Sequence, residues 1–125
     1  MKSKILLVVC ILTGLIFINA GLNKFFNYMP VPEDLPEDLM KLMQAMMTIK
    51  WLMPLVAIAE ILGGILIVPA RTRAVGALIL FPIMIGILLT HFYFAPDGLL
   101  LPVILAIVVG WILFENRKKY AELFK

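Results

Sequence analysis

Apolar residues run along this chain in four long stretches, and the polar residues that separate them are few. Between Lys4 and Lys24 no residue carries a formal charge, and between Lys50 and Arg71 only Glu60 does. From Ala74 to Pro96 the one group that titrates near neutral pH is His91, and between Asp97 and Glu115 there is none. A helix that crosses a bilayer needs about 20 mainly apolar residues, with about 17 as the short limit. The pattern therefore predicts four transmembrane helices at roughly 5–26, 51–70, 74–95 and 98–115, the fourth being marginal in length. The fold expected is an all-α integral membrane four-helix bundle forming a single domain over 1–125, with both ends on one side.

The first loop is the only long one, and its pattern changes along its length. NYMPVPEDLPED carries Pro30, Pro32 and Pro36, which no regular helix accommodates together. After Pro36, Glu37 and Asp38 suit the positive end of a helix. Leu39, Leu42, Met43, Met46 and Met47 then recur at helical spacing. A short amphipathic helix is expected in this outward loop. It can lie in the headgroups, cap the bundle or dock a partner, because methionine side chains adapt to varied surfaces. Pro54, Pro82 and Pro102 fall inside predicted spans, where they predict kinks.

Composition strengthens the membrane reading. The chain is 63% hydrophobic and 15% charged, with a mean hydropathy of +1.06. Soluble domains are about 45–50% apolar and about 25% charged, and a small one leaves much of its surface exposed. The basic residues are unequally placed. Lys2, Lys4, Arg71, Arg73, Arg117, Lys118, Lys119 and Lys125 fall on one side of four alternating helices, and Lys24, Lys41 and Lys50 on the other. The excess predicts that both termini are cytoplasmic, in the inner (plasma) membrane. Arg71 and Arg73 read as topology anchors, and Tyr28, Trp51, Tyr93 and Trp111 as an aromatic belt. The net charge of +3 is no nucleic-acid signal, since it is spent at membrane edges. The N-terminal run is long and lacks a small-residue cleavage site, so it is expected to stay as the first helix. Cys10 is the only cysteine, so neither an internal disulfide nor a CxxC redox pair is possible. No metal site is expected.

The candidate chemistry is polar and deep. Glu60 lies ten residues from Lys50, hence about 15 Å below the edge at 1.5 Å per residue. An ionised side chain at that depth costs about 2.5–3.5 kcal/mol on insertion scales. Glu60 must therefore either hold its proton or face polar groups inside the bundle. Asn19 and Asn23 share a face of the first helix, Lys24 follows them, and His91 lies toward the same side on the third. These five are the ligand-binding or proton-linked candidates. Ala57, Glu60, Gly63 and Gly64 share one face of the second helix, where Ala59, Gly63 and Gly64 are expected to allow close helix packing.

The run GLNKFF, then AEILGGILIV, then the basic turn ARTRAVGALIL, then a histidine near the end of the third helix, resembles the DoxX/DoxD family of small membrane proteins. The likeness covers roughly 12–114 and implies a compact four-helix bundle. Asn23 and Lys24 match its first-helix motif, Glu60, Gly63 and Gly64 its second, and Arg73 its inner turn. Family roles are varied: membrane subunits of a thiosulfate:quinone oxidoreductase, members of redox-stress complexes, and chaperones for receptor channels. The resemblance thus implies a membrane subunit linked to quinone or redox metabolism, with quinone as the expected lipophilic partner. The alternative is a non-catalytic chaperone or assembly partner for other membrane proteins. A single histidine excludes bis-histidine haem within one chain, so whether this chain catalyses anything alone is left open. The quinone reading predicts a membrane-facing cleft beside the polar cluster. Other expected partners are the lipid bilayer, a redox subunit or a second copy. No G-x-G-x-x-G, P-loop, H-E-x-x-H or nucleophile elbow is present.

Overall fold

A computed structural model describes residues 2–26, 28, 36–94 and 96–124, with the side chains of residues 2 and 3 left aside. The described residues form α-helices α1 (Lys2–Phe26), α2 (Glu37–Thr48), α3 (Leu52–Ile67), α4 (Arg73–Phe94), α5 (Leu100–Glu115) and α6 (Arg117–Ala121). Short 3₁₀ turns cover Pro96–Gly98 and Glu122–Phe124. No strand occurs among the described residues. The expected chain break at Pro30 and Pro32 lies outside them.

α1 and α4 are each long and apolar enough to cross a membrane alone. α3 and α5 have 16 residues each, about 24 Å of helix. α2 meets α3 at 94°, and residues 117–124 turn 62° away from α5. The molecule is a multi-pass all-α membrane protein. Its helices pack in series, α1 along α3, α3 along α4 and α4 along α5. α1 and α5 touch little directly, yet one core joins all four: Phe17, Ile67, Leu80, Met84, Leu105 and Val109. A second cluster, nearer the termini, holds Leu6, Cys10, Ala77 and Ile112. Large apolar side chains such as Leu12, Leu15, Ile58, Leu62, Phe81 and Ile107 point outward, as lipid-facing positions do.

Two of the three prolines expected to kink spans stand near helix starts instead. Pro54 and Pro102 occupy the first turns of α3 and α5, where a missing N–H breaks no helical hydrogen bond. Pro82 alone stands inside a helix, α4.

The turn between α3 and α4 is closed by its own side chains. The Thr72 hydroxyl donates to the Leu66 carbonyl at 2.7 Å. Arg73 donates from Nε to the Ile67 carbonyl at 2.8 Å and from Nη2 to that of Val68 at 2.7 Å. Three carbonyls at the end of α3, which would otherwise lack intrahelical donors, are satisfied by two neighbouring residues. Arg73 is buried, so beyond any anchoring by charge it is a helix cap. The Tyr120 hydroxyl donates to the Ala74 carbonyl at 2.8 Å, fixing α6 beside this turn. Burial raises the Tyr120 phenol above its ordinary range.

Candidate functional site

The α1–α3 contact positions the deep acid. Gly14 and Gly21 of α1 are seven residues apart and meet Gly64 and Ala57 of α3, also seven apart. A Cβ on Gly14 would stand 2.5 Å from the Gly64 carbonyl oxygen, and one on Gly64 would stand 2.7 Å from that of Gly14. The backbones approach as closely as glycine permits. On the other side of α3, Gly63 receives Leu80, and a Cβ on Gly76 would come 2.7 Å from the Ile67 nitrogen. Ala57, Glu60, Gly63, Gly64 and Ile67 are all buried. Ala59 is half-buried, and the small residue opposite Gly21 is Ala57.

This register brings Lys24 to Glu60. Side chains lean toward the N-terminus of their own helix. α1 and α3 run in opposite directions, so Lys24 leans deeper into the protein while Glu60 leans toward the loop side. Their tips meet with Lys24 Nζ 2.7 Å from Glu60 Oε1. Glu60 is 2% exposed and the Lys24 side chain 23%. The second carboxylate oxygen, Glu60 Oε2, is buried and has no hydrogen-bond partner among the described residues. A buried acceptor left unsatisfied costs about 1–3 kcal/mol, more for a charged group. Packing two helices tightly around it without providing a donor leaves one hydrogen-bonding position for something else.

The other candidates have further contacts of their own. Asn19 is exposed, and the Tyr28 hydroxyl reaches its carbonyl at 3.0 Å and also its side-chain Oδ1. Asn23 is half-buried beside Lys24 in the sequence. His91 sits near the end of α4, where its Nδ1–H donates to the Ile87 carbonyl at 2.9 Å and its ring backs onto Gly98. A carbonyl can only accept, so Nδ1 carries the proton and, in the neutral ring, Nε2 is the acceptor. Of the five, then, Lys24 and Glu60 are brought into contact. Two grooves are defined by described residues, and neither is lined by Lys24 or Glu60. One groove of about 90 Å³ runs between α4 and α5, past Phe81, Met84, Ala106 and Val109, and a second follows Lys4, Ile5, Val8 and Val9 on α1. At Gly14, Gly21 and Gly64 the contact leaves no room for a methyl group between α1 and α3. No group of three metal-ligating side chains occurs among the described residues.

The features that fix this geometry, the GLNKFF turn of α1, the glycine-rich α3 and the capped turn before α4, all fall within residues 5–93, over which the DoxX family model matches. That match covers more than half of the 125-residue chain. The chain belongs to the DoxX family. No curated protein and no solved structure matches it. In this DoxX protein the match takes in Lys24, Glu60, Arg73 and His91 and stops short of α5. Gly14 and Gly21 were missed from the sequence as site-forming residues. The signal was available in the shared seven-residue spacing of Gly14–Gly21 and Ala57–Gly64.

Proposed function

We propose that this DoxX-family protein is a membrane subunit serving quinone-linked redox metabolism, seated in the inner membrane with both termini cytoplasmic. The observation that carries the reading is the Lys24–Glu60 pair, whose Oε2 has no hydrogen-bond partner among the described residues. A quinone carbonyl needs a hydrogen-bond donor, and a quinol hydroxyl needs an acceptor. Lys24 Nζ is a donor with three hydrogens, and the Glu60 carboxylate is an acceptor with one oxygen to spare. In this reading Lys24 orients the head group, and Glu60 holds or releases a proton at Oε2. Electrons come from a partner redox subunit, since the sequence has no cysteine pair and a single histidine. The tight α1–α3 seam means that the head group enters only when the loop-side ends of these helices part.

The test is binding of a decyl-substituted benzoquinone and its quinol to the purified protein in nanodiscs. Glu60→Gln and Lys24→Arg are compared with wild type, each first checked for an unchanged melting profile. Binding weakened about tenfold, the equivalent of 1.4 kcal/mol, is expected in each. Binding that is absent from wild type, or identical in all three proteins, sinks the proposal.

A further inference from the structure

α2 has an apolar side that its own protein covers only in part. No residue of the helix is buried. Leu39, Leu42 and Met46 are half-buried on the side that touches α3 and α4. Met40, Met43 and Met47 form a second stripe at the same spacing, next to the first, and all three are exposed, Met47 at 68%. Glu37, Asp38, Lys41, Gln44 and Thr48 occupy the opposite side. The apolar arc is thus about twice as wide as the part that the bundle covers.

Two further observations say what meets the rest. First, α2 turns 94° from α3, so it runs along the membrane plane where α3 crosses it. Second, α3 is short. Its capped end beside exposed Arg71 marks the terminal-side boundary, and its 16 residues reach only about 24 Å from there. The hydrocarbon core is about 30 Å thick. The α2–α3 corner therefore stops about 6 Å short of the far edge of the hydrocarbon. A helix leaving that corner at a right angle travels at the boundary between acyl chains and headgroups, and not above it. Further along the sequence, Ile49, Trp51, Leu55 and Ile58 are exposed as well.

From these we infer that α2 is an in-plane anchor in the loop-side leaflet, with Met40, Met43 and Met47 inserted among lipid acyl chains. Its formal charges, Glu37, Asp38 and Lys41, sum to −1, and Lys41 already pairs with Glu37 at 3.4 Å. The attachment is therefore apolar rather than electrostatic. It does not need anionic lipid and is insensitive to salt, unlike a basic amphipathic helix. α2 then rides with the headgroup layer and ties the loop-side end of α3, about two turns above Glu60, to the lipid surface.

The test places single nitroxide labels at Met40→Cys, Met43→Cys, Met47→Cys, Lys41→Cys, Gln44→Cys and Thr48→Cys, in a Cys10→Ala background, in zwitterionic phosphatidylcholine vesicles. Labels at 40, 43 and 47 are expected to be more accessible to oxygen than to a water-soluble nickel chelate. Those at 41, 44 and 48 should show the reverse, with no change at tenfold higher salt. As a check free of labels, Trp51 in a Trp111→Phe protein should be quenched most by lipids brominated near the headgroup. Uniform access of the chelate to all six positions overturns the inference. So does protection of 40, 43 and 47 from both reagents, which means a second protein surface covers them.

Discussion

The α1–α3 and α4–α5 contacts are built on opposite principles. Between α1 and α3 the glycines Gly14, Gly21 and Gly64 have no room for a methyl group. Between α4 and α5 the contact is made by Leu80, Met84, Leu105 and Val109, and a groove of about 90 Å³ remains beside them. The glycines of this second pair are idle: a Cβ on Gly86 or Gly110 would meet nothing within 4 Å. In a bilayer, apolar side chains gain little by leaving lipid for protein, so close backbone packing and polar contacts do more of the holding. Here both kinds of contact are concentrated in α1–α3, where the ion pair sits. The acid is tolerated because its neighbours are too close for acyl chains to enter.

The sharpest way to break this contrast is to remove one charge. Lys24→Met leaves Glu60 buried without its cation, and loss of one partner of a buried pair costs about 3–5 kcal/mol. Adding Glu60→Gln to that variant should restore most of the loss. Unfolding by sodium dodecyl sulfate titration reads both effects, and a Lys24→Met protein as stable as wild type would show that the pair holds nothing. Next in size is Gly64→Val. Its Cβ meets backbone atoms of Gly14 and Ile18, so the helices must part, at about 1–3 kcal/mol for overpacking. Quinone binding, if the proposed role holds, should change with it. The smallest effect should come from the other contact and have the opposite sign. Gly110→Ala adds a methyl group in open space and removes a poor helix former, a gain of about 0.5–1 kcal/mol. A loss at Gly110 would mean that the α4–α5 surface is occupied by something the single chain lacks.

What could be read from residues alone follows from the physics of each feature. The four apolar runs and the α2 periodicity are local signals, and the helices stand where those signals place them, with ends shifted by a few residues. Glu60 was conspicuous because no local pattern explains an acid at that depth. Its partner was less legible. Lys24 stood in the same polar group as Asn19, Asn23 and His91, and only the glycine register decides which of them reaches the carboxylate. His91 shares their half of the membrane, yet its Nδ1–H donates to the Ile87 carbonyl one turn back. Arg73 illustrates a different loss. Charge counting reads it as an anchor, whereas its position just past a helix end is also where a basic side chain can cap free carbonyls.

The closure of the α3–α4 turn by Thr72 and Arg73 bears on how the protein is made. The donors to the Leu66, Ile67 and Val68 carbonyls come from the hairpin itself, and Gly63 and Gly76 already fit its two arms together. The two arms can therefore enter the bilayer as one preassembled unit, with no bare carbonyl crossing oil.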